Sequence, residues 1–149
     1  MIGTSRLRIA VVAVAVIVGV GLGLSVRAQD SGGGSSEWKA PARAAKKKNP
    51  IPADDKSIAA GKDVYLHQCR SCHGDSGKGD GPAAKDTNPK PKDLGAPAVA
   101  EQTDGALFWK ITEGKKPMPS FEKLITEDQR WQVINCVRTF GPPAAATQK

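Results

Sequence analysis

The chain has 149 residues, of which 39% are apolar, 25% charged and 5% aromatic, and its formal net charge is +7 at pH 7. This length holds one small domain and excludes a large multidomain enzyme. Residues 57–142 carry 12 Lys and Arg against 11 Asp and Glu. Because a nucleic-acid-binding domain needs a clear positive excess to meet phosphate, nucleic acid is excluded as a partner.

Residues 1–28 have the pattern of a signal peptide. Arg6 and Arg8 precede an apolar stretch at residues 9–26, and a Val-Arg-Ala site ends at residue 28. We therefore expect export to the periplasm. The 18 apolar residues also approach the length of a membrane span, so the alternative is an uncleaved segment that tethers the protein to the membrane.

Residues 29–56 are rich in Gly, Ser, Pro and Lys, with a Lys-Lys-Lys run at residues 46–48 and prolines at 41, 50 and 52. This composition predicts a flexible linker. A lone Trp38 within it is either incidental or a docking aromatic. Residues 143–149 have no apolar periodicity and are predicted to be a disordered tail. The folded domain is therefore expected at residues 57–142.

Three helices are predicted within this domain. The first begins near Ser57, where apolar residues recur at spacings of three and four. A shorter helix is expected at residues 104–113, and a final one starts at a capping box formed by Thr126 and Gln129. Residues 74–100 are rich in Gly and Pro, which predicts a loop. No stretch alternates between apolar and polar residues for long enough to predict a β-sheet. The domain should be all-α.

The first helix leads into the motif Cys69-Arg70-Ser71-Cys72-His73. Two thiols separated by two residues can add to the two vinyl groups of a haem, with the adjacent imidazole as a ligand of the iron. A zinc site would need four ligands, and only Cys136, His67 and carboxylates remain to complete it. A disulfide or a thioredoxin-like redox motif is the other alternative, but the βαβ context of the latter is absent. The motif predicts one haem c per chain, attached through both cysteines.

Met118 is the candidate for the second axial ligand. It is the only thioether in the predicted domain, and His67 lies too close to Cys69 along the chain to reach the opposite face of the ring. Prolines on both sides of the methionine restrict the backbone and pre-order a loop. The alternatives are a methionine that fills a gap in the core, and replacement by a neighbouring lysine at high pH.

In this order, these motifs resemble a class I c-type cytochrome over residues 54–140. The matching stretches are Ala60-Gly61-Lys62-Asp63-Val64-Tyr65, Cys69-Arg70-Ser71-Cys72-His73-Gly74, Gly77-Lys78-Gly79-Asp80-Gly81-Pro82, Leu107-Phe108-Trp109-Lys110-Ile111, Gly114, Pro117-Met118-Pro119 and the helix at residues 131–140. The resemblance implies a small class I cytochrome c fold, in which three to five short helices wrap around one covalently bound haem with His73 and Met118 as axial ligands.

The resemblance also implies roles for two further residues. The carbonyl of Pro82 is expected to accept a hydrogen bond from Nδ1–H of His73, which would fix the orientation of the ring. Trp109 resembles the aromatic residue that lines the haem pocket and reaches a propionate through its N–H, with plain core packing as the alternative.

In similar domains the first and last helices cross at a small residue and an aromatic one, here Gly61 and Tyr65 against Val133 and Cys136. The position of Cys136 is commonly aromatic in this family, so the chain departs from the pattern there. We expect Cys136 to be a buried free thiol, and the alternative is a disulfide between two chains.

An iron held by His73 and Met118 has no open position for O₂ or peroxide, so it can only exchange electrons. We therefore expect a periplasmic electron-transfer protein that is not an enzyme, with redox proteins as unidentified donor and acceptor. The alternatives are a cytochrome subunit of a dehydrogenase or terminal oxidase complex and, ranked below it, a haem-based gas sensor. Lysines 110, 115, 116 and 123 near Met118, set against Glu113 and Glu122, either steer an acidic partner or form an ordinary solvated face.

Overall fold

The computed structural model describes residues 38–141, and all regular structure in them is helical. The α-helices are α1 (Ala42–Ala45), α2 (Asp55–Gln68), α3 (Arg70–His73), α4 (Pro97–Ala100), α5 (Asp104–Glu113) and α6 (Glu127–Arg138), with a 3₁₀ helix at Ala84–Asp86. Within the described residues there is no β-strand, only an isolated bridge between Lys115 and Met118. The predicted all-α fold is confirmed.

The three longest helices are those that the sequence predicts. α2 begins slightly earlier than expected, because the side chain of Asp54 accepts a hydrogen bond from the Ser57 amide at 2.7 Å and so caps the helix. α5 has the predicted bounds. The predicted capping box at the start of α6 is present in full. The predicted loop at residues 74–100 contains two short additions, α4 and the 3₁₀ helix.

α2 and α6 cross at the residues that the sequence predicts. A Cβ atom on Gly61 would lie 2.0 Å from the carbonyl oxygen of Gln132, so only glycine allows the two backbones to approach this closely. Around the crossing lies a buried apolar group, the α2–α6 cluster, formed by Val64, Tyr65, Phe121, Ile125, Val133, Cys136 and Val137. The side of the domain that carries the cysteine motif is built on this cluster.

A second apolar group, the α5–α6 cluster, lies on the other side of α6. It consists of Val99, Leu107, Phe108, Trp131 and Ile134, with Ile51 packed against it. The rings of Phe108 and Trp131 stack with centroids 3.9 Å apart. Leu94 and Ile111 touch both clusters, so the two form adjoining parts of one core.

Residues 38–56, which the sequence predicts to be part of a flexible linker, are ordered in the structure. Residues 38–49, here called the strap, lie along α5, where a Cβ atom on Gly105 would meet the carbonyl of Ala44 at 2.3 Å. The hydroxyl of Thr103 donates to the carbonyl of Ala45 at 2.7 Å, and the Asn49 amide donates to Asn135 at 2.8 Å. The polar composition of this segment suggested disorder. Composition does not show the hydrogen-bond partners that order the segment, because these partners are on α5 and α6, far away in the sequence.

Several sequence-based expectations concern residues outside the described range. They are the signal peptide or membrane tether at residues 1–28, the first part of the linker up to residue 37, and the tail at residues 143–149. Among the helices of residues 38–141, none combines the length and the apolar character that a membrane span requires.

Cys136 is buried, as predicted, with 3% of its surface exposed, and burial raises the pKa of its thiol. A cavity of about 160 Å³ lies beside it. The cavity is lined by Ile58, Lys62, Tyr65, Leu66, Asp75, Cys136, Thr139 and Phe140. The small side chain thus leaves space where similar domains have an aromatic ring.

We therefore expect Cys136→Tyr to stabilise the protein by about 1 kcal/mol, because the new ring would fill this space and meet Tyr65 and Phe140. Urea unfolding of the wild type, Cys136→Tyr and Cys136→Ala provides the measurement. The alanine variant should be the least stable of the three, since it only enlarges the cavity. A tyrosine variant as unstable as the alanine variant would contradict the expectation and show that the crossing rejects an aromatic side chain.

Candidate functional site

The two motif cysteines are placed by the junction of α2 and α3. The amide of Cys69 donates to the Tyr65 carbonyl at 2.9 Å, which ends α2, and the amides of Cys72 and His73 both donate to the Cys69 carbonyl. This single turn brings the thiols of Cys69 and Cys72, three residues apart, to one side of the chain. All three cysteines are free thiols, so the alternative of a disulfide within the motif is not formed.

His73 is held by a backbone carbonyl through one ring nitrogen. Its Nδ1 atom lies 3.2 Å from the carbonyl oxygen of Lys92, and a Nδ1–H bond of this kind leaves Nε2 as the metal-binding atom. Burial lowers the pKa of His73, although the Lys92 carbonyl opposes the shift. The ring is therefore neutral at neutral pH, which is the form that binds iron.

The prediction that Pro82 provides this carbonyl is wrong. The residues on either side of Pro82 pair with the motif backbone instead, because the Gly81 amide donates to Cys72 at 3.1 Å and the Ala83 amide donates to Ser71 at 2.8 Å. The chain returns to the imidazole only at residues 91–94. There the Leu94 amide donates to the Gly77 carbonyl at 2.7 Å and brings the neighbouring Lys92 carbonyl towards His73.

Sequence reasoning missed Lys92 and the side chain that orders the backbone next to it. One carboxylate oxygen of Asp93 accepts from the Gly95 amide at 2.8 Å, and the other accepts from Lys78 Nζ at 3.1 Å. The hydrogen bond from Lys78 holds the pKa of Asp93 below its usual value. The sequence contains one signal for this arrangement. Asp93 stands two residues before Gly95, downstream of the Gly-rich loop, and this spacing is the pattern of an Asx turn.

Tyr65 connects the helix crossing to the motif. Its hydroxyl donates to the carbonyl of Gly74, directly after His73, at 2.6 Å, and its ring meets Phe140 edge-on with centroids 4.9 Å apart. Burial raises the pKa of this phenol far above its usual value, so it remains a donor. The position of the motif therefore depends on the packing of α2 against α6.

Met118 lies in a short, tightly closed loop at residues 114–120, here called the Met118 loop. Its backbone exchanges two hydrogen bonds with Lys115, at 3.0 and 2.9 Å, and the Phe121 amide returns to the Ile111 carbonyl at 3.1 Å. Met118 and Cys69 are both half-buried and pack against the α2–α6 cluster. The structure thus brings the predicted thioether and one motif thiol to the same apolar group, while ligation by Met118 stays a prediction.

Trp109 is half-buried and belongs to neither of the two core clusters of the described residues. Its ring meets the ring of Trp38 from the strap, with centroids 6.3 Å apart and planes inclined by 56°. The packing partner is therefore a residue that sequence reasoning placed in a flexible linker. The role of Trp109 at a haem pocket stays a prediction.

His67 and Cys136, the residues considered for zinc, do not assemble a metal site with the motif. His67 is exposed on α2 with its Nδ1 atom 2.8 Å from the Asp63 carbonyl, whereas Cys136 is buried at the helix crossing. Across the described part of the chain, no three His, Cys, Asp or Glu side chains converge as metal ligands.

The donor set fits a covalently attached haem. It consists of two free thiols one helical turn apart, a neutral imidazole that is held through Nδ1, and a thioether against the same apolar cluster as Cys69. Burial raises the pKa of Cys69 to about 12, so its sulfur is a neutral group in an apolar setting. Covalent attachment through Cys69 and Cys72, with nitrogen and sulfur as axial donors, is the arrangement of c-type haem.

Comparison with solved structures gives a chain of the Kuenenia stuttgartiensis reducing HAO-like protein complex Kustc0457/Kustc0458, with a TM-score of 0.55 and 29% identity over 62% of this chain and 47% of that chain. This chain thus spans about half the length of that relative. Cytochrome CL from Methylophaga aminisulfidivorans MPT has a TM-score of 0.47 and 25% identity over 58% of this chain and 54% of that chain. The c-type cytochrome KustC0563 has a TM-score of 0.47 and 22% identity over 55% and 98%, respectively.

A comparison with curated proteins gives no match. The family described as cytochrome C oxidase, cbb3-type, subunit III, matches residues 56–135, which is more than half of the chain. This range contains the motif, the Lys92 carbonyl, the Met118 loop and most of α6. The chain therefore belongs to this family, and it is a class I c-type cytochrome with a covalently bound haem c.

Proposed function

We propose that this protein is a periplasmic electron carrier whose haem iron cycles between Fe(II) and Fe(III), and that it has no catalytic activity of its own. The observation that carries the proposal is the placement of Met118. The only thioether of the described residues is held in a tightly closed loop against the apolar cluster that also receives Cys69. If His73 and this thioether both bind the iron, no coordination position is left open for a substrate.

Each residue of the site has a defined task in this proposal. Cys69 and Cys72 would hold the porphyrin covalently, and His73 Nε2 and Met118 Sδ would bind the iron, while the Lys92 carbonyl orients the imidazole. The α2–α6 cluster excludes water from this side of the site. A haem held in this way would supply one-electron chemistry at its iron. A soft sulfur ligand in a water-poor setting favours Fe(II) and raises the reduction potential.

A second candidate is a cytochrome subunit of a larger redox complex. The family match is to a group described as a subunit of an oxidase, and one solved relative, with a TM-score of 0.55, is part of a protein complex. Export or membrane attachment is supported by the apolar run at residues 9–26. In either case we expect the immediate partners to be redox proteins.

Spectroelectrochemical titration of the full-length holoprotein tests the carrier function. We expect a single one-electron transition, and no binding of CO to the reduced protein, because both axial positions are filled. Rapid CO binding at neutral pH would instead support the gas sensor. Purification from its own cells with both flanks intact separates a carrier from a subunit, since a stable larger complex would favour the second candidate.

Asp93→Asn provides a prediction for the hydrogen bond of the proximal imidazole. Loss of the Lys78–Asp93 ion pair should loosen the Lys92 carbonyl and make His73 a weaker donor to Fe(III), so the reduction potential should rise. A tenfold change in the relative affinity for the two oxidation states is about 59 mV for one electron. We therefore expect a rise of a few tens of millivolts, measured by redox titration.

The matched control is Asp75→Asn. Asp75 also pairs with a cation, Arg70, at 3.3 Å, so both variants remove one negative charge from the same region. Because Asp75 does not order the Lys92 backbone, its variant should shift the potential less. Equal shifts in the two variants would show that charge alone is responsible.

A further inference from the structure

The positive charge of the described residues is concentrated in the strap. Residues 38–49 contain five Lys or Arg and no Asp or Glu, whereas residues 50–141 contain 13 of each sign. The strap thus carries all of the net charge of the described part of the chain. It also lies outside residues 56–135, which the family match covers, and is therefore an addition to the cytochrome domain.

These cations are presented from an ordered backbone. α1 packs on α5 at Gly105, and Asn49 donates both to Asn135 at 2.8 Å and to the Trp131 carbonyl at 3.3 Å. Arg43, Lys46 and Lys48 are exposed, and among the described residues no carboxylate forms an ion pair with them. Their charge is therefore available to a partner without first breaking an internal ion pair.

The strap begins beside the part of α5 that leads to the Met118 loop. Trp38 packs on Trp109, and Lys110 Nζ lies 5.4 Å from the centroid of the Trp38 ring. From Trp109 to the end of α5 at Glu113 is about one helical turn, or roughly 6 Å, and the Met118 loop follows directly. The start of the strap is therefore close to the loop that supplies the predicted methionine ligand, whereas residues 44–47 lie at the other end of α5, beside Thr103 and Gly105.

We propose that the strap is a docking surface for an acidic protein, namely the redox partner of this cytochrome. This inference rests on the proposed electron-transfer function. In it the strap, and not the group of lysines near Met118, is the main source of electrostatic steering, because the Met118 loop and its flanks have only a small local excess of positive charge. Clustered charge opposite a complementary surface accelerates encounter and orients it, and the effect weakens as salt shortens the Debye length to about 8 Å at physiological ionic strength.

An acidic protein fits the strap better than an anionic bilayer. An amphipathic segment that lies stably in a membrane interface inserts apolar side chains next to the basic ones. The large aromatic side chain of the strap, Trp38, is half-buried against Trp109, and the other apolar side chains of residues 38–49 are alanines and a proline. The surface therefore offers charge without an apolar anchor.

The test compares two triple variants of the full-length holoprotein with equal total charge. Arg43→Glu, Lys46→Glu and Lys48→Glu together reverse the strap, and Lys62→Glu, Lys85→Glu and Lys90→Glu reverse three exposed lysines elsewhere. The probe is an acidic flavodoxin in its hydroquinone form, which passes one electron to the ferric haem and becomes the semiquinone. The second-order rate constant is measured by stopped flow from low to high ionic strength.

We expect the strap variant to react at least tenfold more slowly than the wild type at low salt, and the control variant to react much less slowly. All three rates should converge at high salt, with unchanged haem spectra and reduction potentials. Equal slowing in both triple variants would overturn the proposal, because net charge alone would then explain the rates. Slowing by Lys115→Glu with Lys116→Glu, but not by the strap variant, would also overturn it.

A membrane-binding strap is a distinct outcome. Sedimentation with phosphatidylglycerol vesicles that depends on the strap cations, together with unchanged flavodoxin rates in the strap variant, would overturn the assignment to a protein partner. Failure of the carrier function would be visible separately, as the absence of a one-electron transition in the wild-type titration.

Discussion

Replacing Met118 with alanine should remove the sulfur-to-iron charge-transfer band of the ferric protein and lower its reduction potential. The thioether stabilises Fe(II), and no other described residue offers a thioether to replace it. Because axial ligation sets haem potentials over about 0.8 V, we expect a fall on the order of 0.2 V. The open position should also let the reduced variant bind CO. Absorption spectroscopy, redox titration and CO binding at neutral pH are the measurements.

Ile111→Ala is the matched control for this experiment. Like Met118, Ile111 is partly buried and packs against the α2–α6 cluster, but it has no donor atom. The Ile111→Ala variant should keep the charge-transfer band but lose stability. At a fully buried site this change costs about 2–5 kcal/mol, and the loss should be smaller here because Ile111 is only partly buried. A Met118→Ala protein with an unchanged spectrum and potential would show that another group ligates the iron.

Replacing Gly61 with alanine should destabilise the protein by about 3 kcal/mol. Its Cβ atom would lie 2.0 Å from the Gln132 carbonyl oxygen and 3.0 Å from the Val133 nitrogen, and both are backbone atoms that cannot rotate away. α2 and α6 would have to separate, which loosens the buried contacts at the crossing. In a domain of about 100 residues this corresponds to a fall in Tm of roughly 12–24 °C. Thermal and urea unfolding of the holoprotein measure it.

A loss of stability in Gly61→Ala would be evidence for the close helix crossing. Without such a crossing the change should stabilise the helix, because alanine is intrinsically the better helix former by about 1 kcal/mol. Ala59→Gly, at an exposed position of the same helix, serves as the control and should cost only about that amount. Gly61→Ala should also disturb the Tyr65–Gly74 hydrogen bond, and with it the position of the motif. A Gly61→Ala variant as stable as the wild type would refute the close helix crossing.

The local signals of the sequence were sufficient for the elements that depend on near neighbours. α5 and α6 have the predicted bounds or caps because the capping residues of a helix lie within three or four positions of the groups they satisfy. The haem motif is equally local, since Cys69, Cys72 and His73 are placed by one turn of backbone. Burial of Cys136 at the crossing was also predictable, from its place in an apolar helix face.

Only the tertiary structure decided the contacts between segments that are far apart in the sequence. The acceptor for His73 is the carbonyl of Lys92 rather than that of Pro82, because the backbone around Pro82 is taken up by Ser71 and Cys72 and a different loop returns to the ring. The strap is ordered because its partners, Thr103 and Asn135, belong to distant helices. Sequence composition records how polar a segment is, but its order depends on whether distant groups satisfy its hydrogen bonds once the chain has folded.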